Sequence, residues 1–290
     1  MTDKPATVTT CDVEELHPLI DRRSGIVFNA SRGQPFSSKV HEYMREKQIA
    51  SVAELLRVVE SDAEYDAMLE FLLEEKSSFF RYPAVFEALA KNILPELQEK
   101  KFWDSPRTLR IWSAGCSTGE EAYSTAVVIA DHLPFAETWR IEILATDISR
   151  RALRHAERGV YGDRDVENLS AQQLENYFTK ARHAYVVKPR IRRMVNFAPM
   201  NLTQTSNAGR MDCIFCLDVL SYFSAERRNA ILQSFSECLE PGGYLVLGNI
   251  QPLDSAKLHL EFQTFGDGGI YQKPTAESAV RQAVVAEGSL

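Results

Sequence analysis

Two glutamates stand directly after a glycine-containing turn in the segment RIWSAGCSTGEEAYS, residues 110–124. Gly115 and Gly119 would let a ligand approach the backbone closely, and Glu120 and Glu121 would occupy the first turn of the next helix. Carboxylates are stabilised there by the helix macrodipole, and they repel phosphate but can pair with a cation or accept from hydroxyls. Both could serve only to stabilise the helix start. For Glu120 that interpretation is preferred, whereas Glu121 is a candidate ligand-binding residue.

A further acid, Asp147, ends the predicted strand EILATD. An acidic residue at this point of a nucleotide-binding α/β fold commonly accepts hydrogen bonds from ribose hydroxyls. It could also be a helix cap, although Ser149 could serve instead. Together these acids predict a nucleoside that carries positive charge and no phosphate, and S-adenosylmethionine satisfies both conditions. NAD is not favoured, because the G-x-G-x-x-G pattern is absent from the sequence.

Alternating strands and helices would position these acids. The predicted strands are LRIWSA, WRIEILATD, RMDCIFCLDVL and GGYLVLGN, and the predicted helices are residues 119–133, 149–158 and 224–238. This alternation predicts a parallel sheet covered on both faces, with ligands at the carboxyl ends of its strands. The segment LEFQTFGDGGIYQK predicts a hairpin around residues 266–269 that adds a last antiparallel strand. Residues 184–200 have a β-like pattern with no helix, and we predict a small β insertion there.

An α-helical region precedes the sheet. In residues 51–76 apolar side chains recur at three- and four-residue spacing, and Ser51 with Glu54 forms a capping-box pattern. The expected divisions are a flexible tail at 1–10, an α-helical domain at 11–100, an α/β domain at 101–274 with a β insertion at about 176–200, and a second flexible tail at 275–290.

Composition argues against several classes of function. The net charge is −7 without a basic run, which argues against a nucleic-acid partner, and no apolar stretch approaches the ~20 residues of a membrane span. The five cysteines are odd in number and scattered, which favours reduced thiols in a cytoplasmic protein. Cys213 and Cys216 have CxxC spacing but lie in a predicted buried strand without a second ligand pair, and the histidines form no cluster, so no metal site is predicted.

Four motifs, taken in order, resemble the CheR-type chemoreceptor glutamate methyltransferases, and the similarity runs through residues 12–273. They are SSFFR at 77–81, WSAGCSTGEEAYS at 112–124, ATDIS followed by AL and A-x-x-G-x-Y at 145–161, and MDCIFCLDVLSYF at 211–223. Each motif is weak alone, but their order and spacing after a helical region are specific. The resemblance implies a class I S-adenosylmethionine-dependent methyltransferase fold, Rossmann-like with a seven-stranded sheet, with an N-terminal α-helical domain and a small β insertion.

The resemblance also implies a reaction and a set of site residues. In the family a methyl group passes from S-adenosylmethionine to a glutamate side chain on a receptor helix, and the products are a methyl ester and S-adenosylhomocysteine. By their positions in the motifs, Arg81 and Tyr222 would lie near the transferred methyl and hold the acceptor carboxylate. The implied cofactor contacts are Ser77, Arg81, Gly115, Glu121, Asp147, Asn201, Leu202, Leu217 and Asp218.

The sequence departs from the family around this pocket. Leu217 and Asp218 replace the usual Arg-Asn pair, Glu75 replaces an asparagine, and Ile250 and Gln251 replace a Ser-Glu pair. The loss of a cation and the gain of two acids would disfavour a carboxylate substrate but not a cationic cofactor. Three hypotheses stay open: a protein-glutamate methyltransferase, favoured by the loop similarity; a cofactor-binding signalling module with little or no catalysis; and a methyltransferase with a neutral or cationic acceptor.

The predicted partners are cytoplasmic helices of a chemoreceptor or related signalling protein, with neither nucleic acid nor membrane insertion. The helix SKVHEYMREKQ mixes acids and bases, whereas the segment 188–193 is more basic. Some family members grip a receptor tail peptide with a glycine-containing loop in the β insertion. The comparable segment here, TKARHAYVV at 179–187, has no glycine, so no tail-peptide binding is predicted.

Overall fold

The computed structural model describes residues 13–28, 35–73, 77–204, 208–248, 257–263 and 269–275. Several predicted features lie outside these residues. They are the tail at 1–10, the tail at 275–290 beyond Thr275, the departures at Glu75, Ile250 and Gln251, and the turn at 266–268 of the predicted hairpin. Backbone packing divides the chain into two compact units, residues 1–76 with 221–228, and residues 77–220 with 229–290.

The first unit is helical in its described residues. Its helices are α1 (Leu16–Ser24), α2 (Phe36–Glu46), α3 (Val52–Val58) and α4 (Asp62–Leu72). At the start of α3 the Ser51 hydroxyl accepts from the Glu54 N–H at 3.2 Å, as the capping-box pattern predicts. The Glu54 carboxylate, however, accepts from the N–H of Ala50 at 2.8 Å.

A segment from much later in the chain completes this helical unit. Ile26 forms a bridge with Phe223, and the N–H of Val27 donates to the carbonyl of Tyr222 at 2.7 Å. The Tyr222 ring also meets Phe28 edge-on, with ring centroids 6.2 Å apart. Residues 221–228 therefore belong by packing with the N-terminal helices.

The second unit is built on a seven-stranded sheet of order β6-β2-β1-β7-β8-β10-β9. Its strands are β1 (Thr108–Ala114), β2 (Arg140–Asp147), β6 (Val195–Pro199), β7 (Met211–Cys216), β8 (Leu239–Leu247), β9 (Glu261–Gln263) and β10 (Gly269–Gln272). The five adjacent strands β6, β2, β1, β7 and β8 are parallel, and β10 pairs antiparallel with both β8 and β9. The prediction that the hairpin adds a last antiparallel strand is therefore confirmed.

Within the described residues seven α-helices belong wholly or partly to this unit, and some of them pack on the two faces of the sheet. The seven helices are α5 (Pro83–Ala88), α6 (Leu94–Lys101), α7 (Glu120–His132), α8 (Arg150–Arg158), α9 (Ala171–Tyr177), α10 (Pro189–Arg192) and α11 (Ala225–Cys238). Trp112 of β1 meets Phe235 of α11 edge-on at 5.1 Å, while Phe215 of β7 stacks on Phe86 of α5 at 6.3 Å on the other face. Cys213 and Cys216 are fully buried free thiols, as predicted.

The β6–β2 side of the sheet has an opening on one face. Within the described residues, the connection from β6 to β7 contains only a 3₁₀ turn at Leu202–Gln204. A cavity of about 290 Å³ opens there, and the side chains of Leu144 and Asn196 line it.

Two sequence assignments are corrected by the strand pairing. Residues 184–200 are not one β insertion, because Val195–Pro199 is a strand of the central sheet and Pro189–Arg192 is a short helix. The inserted sheet consists of β3 (Val160–Gly162), β4 (Phe178–Ala181) and β5 (Ala184–Val187), in the order β3-β5-β4. The predicted strand 210–220 is also too long, since β7 ends at Cys216 and a 3₁₀ turn, Val219–Tyr222, follows.

Candidate functional site

The turn after β1 is fastened to the end of β2. The N–H groups of Gly115 and Cys116 donate to the carbonyl of Thr146 at 2.8 and 2.9 Å. Gly115 has φ +87°, and a Cβ there would lie 2.9 Å from the Cβ of Val219. Glycine is thus required both for the left-handed backbone and for the close approach of the next loop.

Asp147 joins the two turns at this edge of the sheet. One carboxylate oxygen accepts from the N–H of Ser117 and the other from the N–H of Ser149, each at 2.8 Å. Ser149 itself caps α8 by accepting from the N–H of Ala152 at 3.0 Å. A carboxylate oxygen can accept more than one hydrogen bond, so these backbone contacts do not prevent Asp147 from also accepting from a ligand hydroxyl.

Glu121 is held in a carboxylate-rich environment. Its side chain accepts a hydrogen bond from the Ser113 hydroxyl at 2.6 Å. Burial, together with the nearby carboxylates of Asp218 and Asp147, raises the pKa of Glu121 to about 7, although the Ser113 hydrogen bond opposes the shift. The site therefore contains electrostatic repulsion that a cationic ligand would relieve.

The other glutamate of the pair is structural. Glu120 is 3% exposed, and both of its carboxylate oxygens accept from the Thr118 hydroxyl, at 2.9 and 2.7 Å. Burial raises its pKa, and hydrogen bonds from Thr118 and Ser77 lower it. Ser77, a predicted cofactor contact, therefore fastens the Phe-Phe-Arg segment to the start of α7.

Arg81 already has an acidic partner. Its guanidinium lies 3.4 Å from a carboxylate oxygen of Asp218, and the Tyr82 hydroxyl donates to the other oxygen. The preceding residue, Phe80, adopts a left-handed φ of +52°, and its N–H donates to the Ser124 hydroxyl at 3.0 Å. A left-handed conformation strains a non-glycine residue. The backbone conformation that positions Arg81 is therefore maintained at the expense of some folding free energy.

The loop after β7 is fixed by a close backbone contact. A Cβ on Gly248 would overlap the carbonyl oxygen of Leu217, so only a glycine fits at this position. Leu217 is itself buried. This contact positions the backbone that carries Asp218.

Asn201 and Leu202 follow β6 at the same edge of the sheet. The N–H of Met200 donates to the carbonyl of Asp147 at 3.0 Å, which places Asn201 one residue beyond. The Asn201 side chain accepts from the N–H and the hydroxyl of Thr203, at 3.0 and 2.9 Å, and Leu202 is buried.

The structure brings together the predicted cofactor residues of the second unit around the carboxyl ends of the strands, through the contacts described above. Tyr222 lies in the first unit, beside Phe28. Sequence reasoning missed Ser113, Ser117 and Tyr82. The position of Ser113 on β1 was a usable signal, because it is a buried polar residue within an apolar strand.

The described residues contain neither a metal-ligand cluster nor a candidate membrane helix. No group of His, Cys, Asp or Glu among them could hold a metal ion. No helix in that part of the chain has both the length and the apolar character needed to cross a bilayer.

Comparison with known proteins gives consistent results. The family described as "CheR methyltransferase, SAM binding domain" matches residues 75–266. Chemotaxis protein methyltransferase 1 of Pseudomonas aeruginosa is 31% identical over 277 residues, which cover 92% of this chain and 99% of the relative. Chemotaxis protein methyltransferase 2 of Vibrio cholerae is 34% identical over 224 residues, 76% of each chain. Among solved structures, the DhpI–SAH complex has a TM-score of 0.37 at 13% identity and covers 80% of this chain and 84% of that one.

Proposed function

This chain belongs to the CheR methyltransferase family, and from that premise we propose that it transfers methyl groups to glutamate side chains of a chemoreceptor-like signalling protein. The observation that carries the proposal is the acidic crevice at the strand ends, where burial and the nearby carboxylates of Asp218 and Asp147 raise the pKa of Glu121. Such a site favours a net-cationic nucleoside over a polyphosphate.

The residues of the crevice fit S-adenosylmethionine. The Asp147 carboxylate, held at the end of β2 by two backbone N–H groups, would accept from ribose hydroxyls. Burial and nearby carboxylates disfavour the ionised form of Glu121, and a cationic ligand would stabilise that form. The bound cofactor supplies an electrophilic methyl group on a sulfonium. On this view Gly115, Asn201, Leu202 and Leu217 shape the walls of the pocket.

The acceptor needs positioning more than it needs a base. A glutamate side chain is already ionised at pH 7, so no strong base is required. Arg81 would orient that carboxylate through charge-assisted hydrogen bonds, and exclusion of water would strengthen them. Alignment of this kind can contribute ~7–11 kcal/mol to lowering a reaction barrier. Tyr222 is proposed as a second donor on the strength of the family motif.

One observation supports a second candidate function. Because Asp218 lies against Arg81, an acceptor carboxylate must compete with a carboxylate of the chain itself. The same arrangement would suit a neutral or cationic acceptor, or a cofactor-binding module with little turnover. The first alternative changes what receives the methyl group, and the second removes most of the transfer.

Two measurements test the proposal. Calorimetric titration with S-adenosylmethionine and S-adenosylhomocysteine should show binding of both, and Asp147→Asn should weaken it while the exposed Asp163→Asn control should not. Radiolabel transfer to a receptor cytoplasmic fragment should then give a base-labile methyl ester. Binding without transfer would select the module, and base-stable label would select a different acceptor. An absence of cofactor binding would overturn the proposal.

Three further points belong to the same proposal. We place the chain in the cytoplasm with the receptor helices, and we keep 11–100 and 101–274 as the helical and methyltransferase domains. We also propose that no receptor tail peptide binds. The turn between β4 and β5 contains Arg182 at φ +46° where a tail-binding loop would carry glycine.

A further inference from the structure

Helix α8 presents four arginines on one exposed face. Arg150, Arg154 and Arg158 recur at four-residue spacing, so they stand above one another on the helix, and Arg151 lies beside them. The helix is anchored by Leu153 and Ala156, which are buried. Below, the arginine face denotes Arg150, Arg151, Arg154 and Arg158.

The arginine face does not stabilise its own helix. Arg150 and Arg151 stand in the first turn, where the positive end of the macrodipole disfavours cations, and that turn contains no acid. Like charges four residues apart also repel each other. Of the four, only Arg158 has a favourable place, in the last turn. A charge pattern that opposes helix stability requires another explanation.

Acidic neighbours cancel only part of this charge, since Glu157 is the one acid of α8 and lies exposed three residues after Arg154. Within the described part of the chain, Arg150, Arg154 and Arg158 make no ion pair. Arg192 donates to the backbone carbonyl of Glu157 at 2.5 Å and so brings another cation to the end of α8. This concentration of positive charge stands out on a chain whose net charge is −7.

We propose that the arginine face docks an acidic α-helix of the acceptor protein, an inference that rests on the proposed function. Glutamates at four-residue spacing on a neighbouring helix match the spacing of Arg150, Arg154 and Arg158, and each can accept two hydrogen bonds from a guanidinium. With nine residues, α8 presents a length of about 14 Å, which suits a short helical segment. The face begins beside Asp147, because the N–H of Ser149 donates to that carboxylate.

Other polyanions fit less well. The aromatic ring of α8 is that of His155, which is half-buried and packs edge-on against Tyr161 with ring centroids 5.6 Å apart, so little of it is available for a base to stack on. The net negative charge of the chain would repel a long nucleic acid or an anionic bilayer beyond the face itself. A helix that carries both acids and neutral residues meets less of that repulsion.

The test is direct binding, measured by fluorescence anisotropy. The probe is a labelled coiled-coil peptide of about four heptads with glutamate at its exposed positions, and its partner probe has glutamine there. The full chain should bind the glutamate peptide at least about tenfold more tightly at ~25 mM salt, and the difference should shrink at ~250 mM. Arg150→Glu with Arg154→Glu should remove that preference.

A matched control separates the arginine face from net charge. Arg164→Glu with Lys180→Glu makes the same charge change at exposed positions outside α8 and should keep binding within about twofold. Circular dichroism should show both variants folded, since Arg154→Glu places an acid four residues before Arg158, where the pair is favourable.

The possible outcomes are distinct. Equal binding by wild type and the α8 variant, or equal binding of both peptides, would overturn the proposal. Tighter binding of poly(U) RNA or phosphatidylglycerol vesicles than of the glutamate peptide would also overturn it, in favour of those partners. Because the assay contains no cofactor, its result is independent of methyl transfer. Failure of the proposed function would appear instead in the calorimetric titration.

Discussion

Glu121→Gln should stabilise the free protein and weaken cofactor binding at the same time. The folded-state pKa of Glu121 is about 7, above the ordinary value of 4.5, and burial is the main cause. A group raised in this way contributes stability that is present below the unfolded-state pKa and is lost as pH rises through the folded-state pKa. The pH window is therefore from about 4.5 to about 7.

The magnitude follows from the size of the shift. A difference between 4.5 and about 7, at 1.36 kcal/mol per pKa unit, gives at most about 3 kcal/mol. At pH 8 the glutamine variant should thus be more stable than the wild type by up to that amount. Below about pH 4 the two should nearly coincide, because Glu121 is then protonated in both the folded and the unfolded state.

The opposite effect is expected for S-adenosylmethionine. The ionised carboxylate favours a cationic ligand, so wild-type affinity should rise between pH 6 and pH 8, with proton release on binding. The variant should lose about 1.5–3 kcal/mol of binding free energy, the usual value for a hydrogen bond to a charged group, and should show little pH dependence. Urea unfolding and calorimetry across that pH range measure both quantities.

The control is Glu175→Gln, which changes an exposed acid on α9 and should alter neither profile. A variant that is less stable than wild type at pH 8, or a stability difference that does not change with pH, would refute the account of Glu121. Equal affinities for the cofactor would refute the proposed contact.

Three more perturbations follow from the structure. Asp218→Asn should remove the ion pair with Arg81 and raise kcat/KM for a glutamate acceptor several-fold in methyl-transfer assays. Adding Leu217→Arg would restore the family pair, but it also places a charge at a buried position and so risks destabilising the fold. An unchanged kcat/KM would show that the pair does not limit acceptor binding. Gly248→Ala should lower the free energy of unfolding, measured in urea, by about 3 kcal/mol or more, because the new Cβ would overlap the Leu217 carbonyl. The control Gly209→Ala has no atom within 4 Å of its Cβ and should lower it by about 1 kcal/mol, from the positive φ alone. Equal losses would contradict the close contact at Gly248. Lys101→Met should lower the free energy of unfolding by about 3–5 kcal/mol, because it removes the ammonium group that lies 2.8 Å from the buried Asp212 carboxylate. Adding Asp212→Asn should recover most of the loss. No recovery would mean that the ion pair is not the cause.

Local features of the site could be predicted from sequence because their causes are local. The glycines at 115 and 119, the acids after them and Asp147 all lie within a few residues of a strand end, where the chain direction fixes what they face. Ser51 could likewise be assigned as a cap, since its partner lies three residues away.

Features that depend on distant pairing could not be predicted. Tyr82 and Asp218 are 136 residues apart, and no spacing rule joins them. Residues 195–199 were misassigned because only a four-residue helix separates this edge strand from the antiparallel insertion, and the strand has the same alternation as the insertion. The end of β7 at Cys216 was missed because Leu217, Val219 and Leu220 are apolar and can continue the pattern of a strand. The close approach of Gly248 to the Leu217 carbonyl shows why the chain turns there.

The pairing of β1 has a consequence for biosynthesis. The N–H of Arg110 on β1 donates to Asp212 on β7, 102 residues further along the chain. During synthesis β1 can therefore pair with β2 early, but it can pair with β7 only much later. Closing so long a loop delays the step in folding. The crevice also needs the backbone at Gly248, so a polypeptide still emerging from the ribosome should not take up the cofactor until that residue is free to fold. S-adenosylmethionine could then stabilise only the completed α/β unit, and not its amino-terminal half.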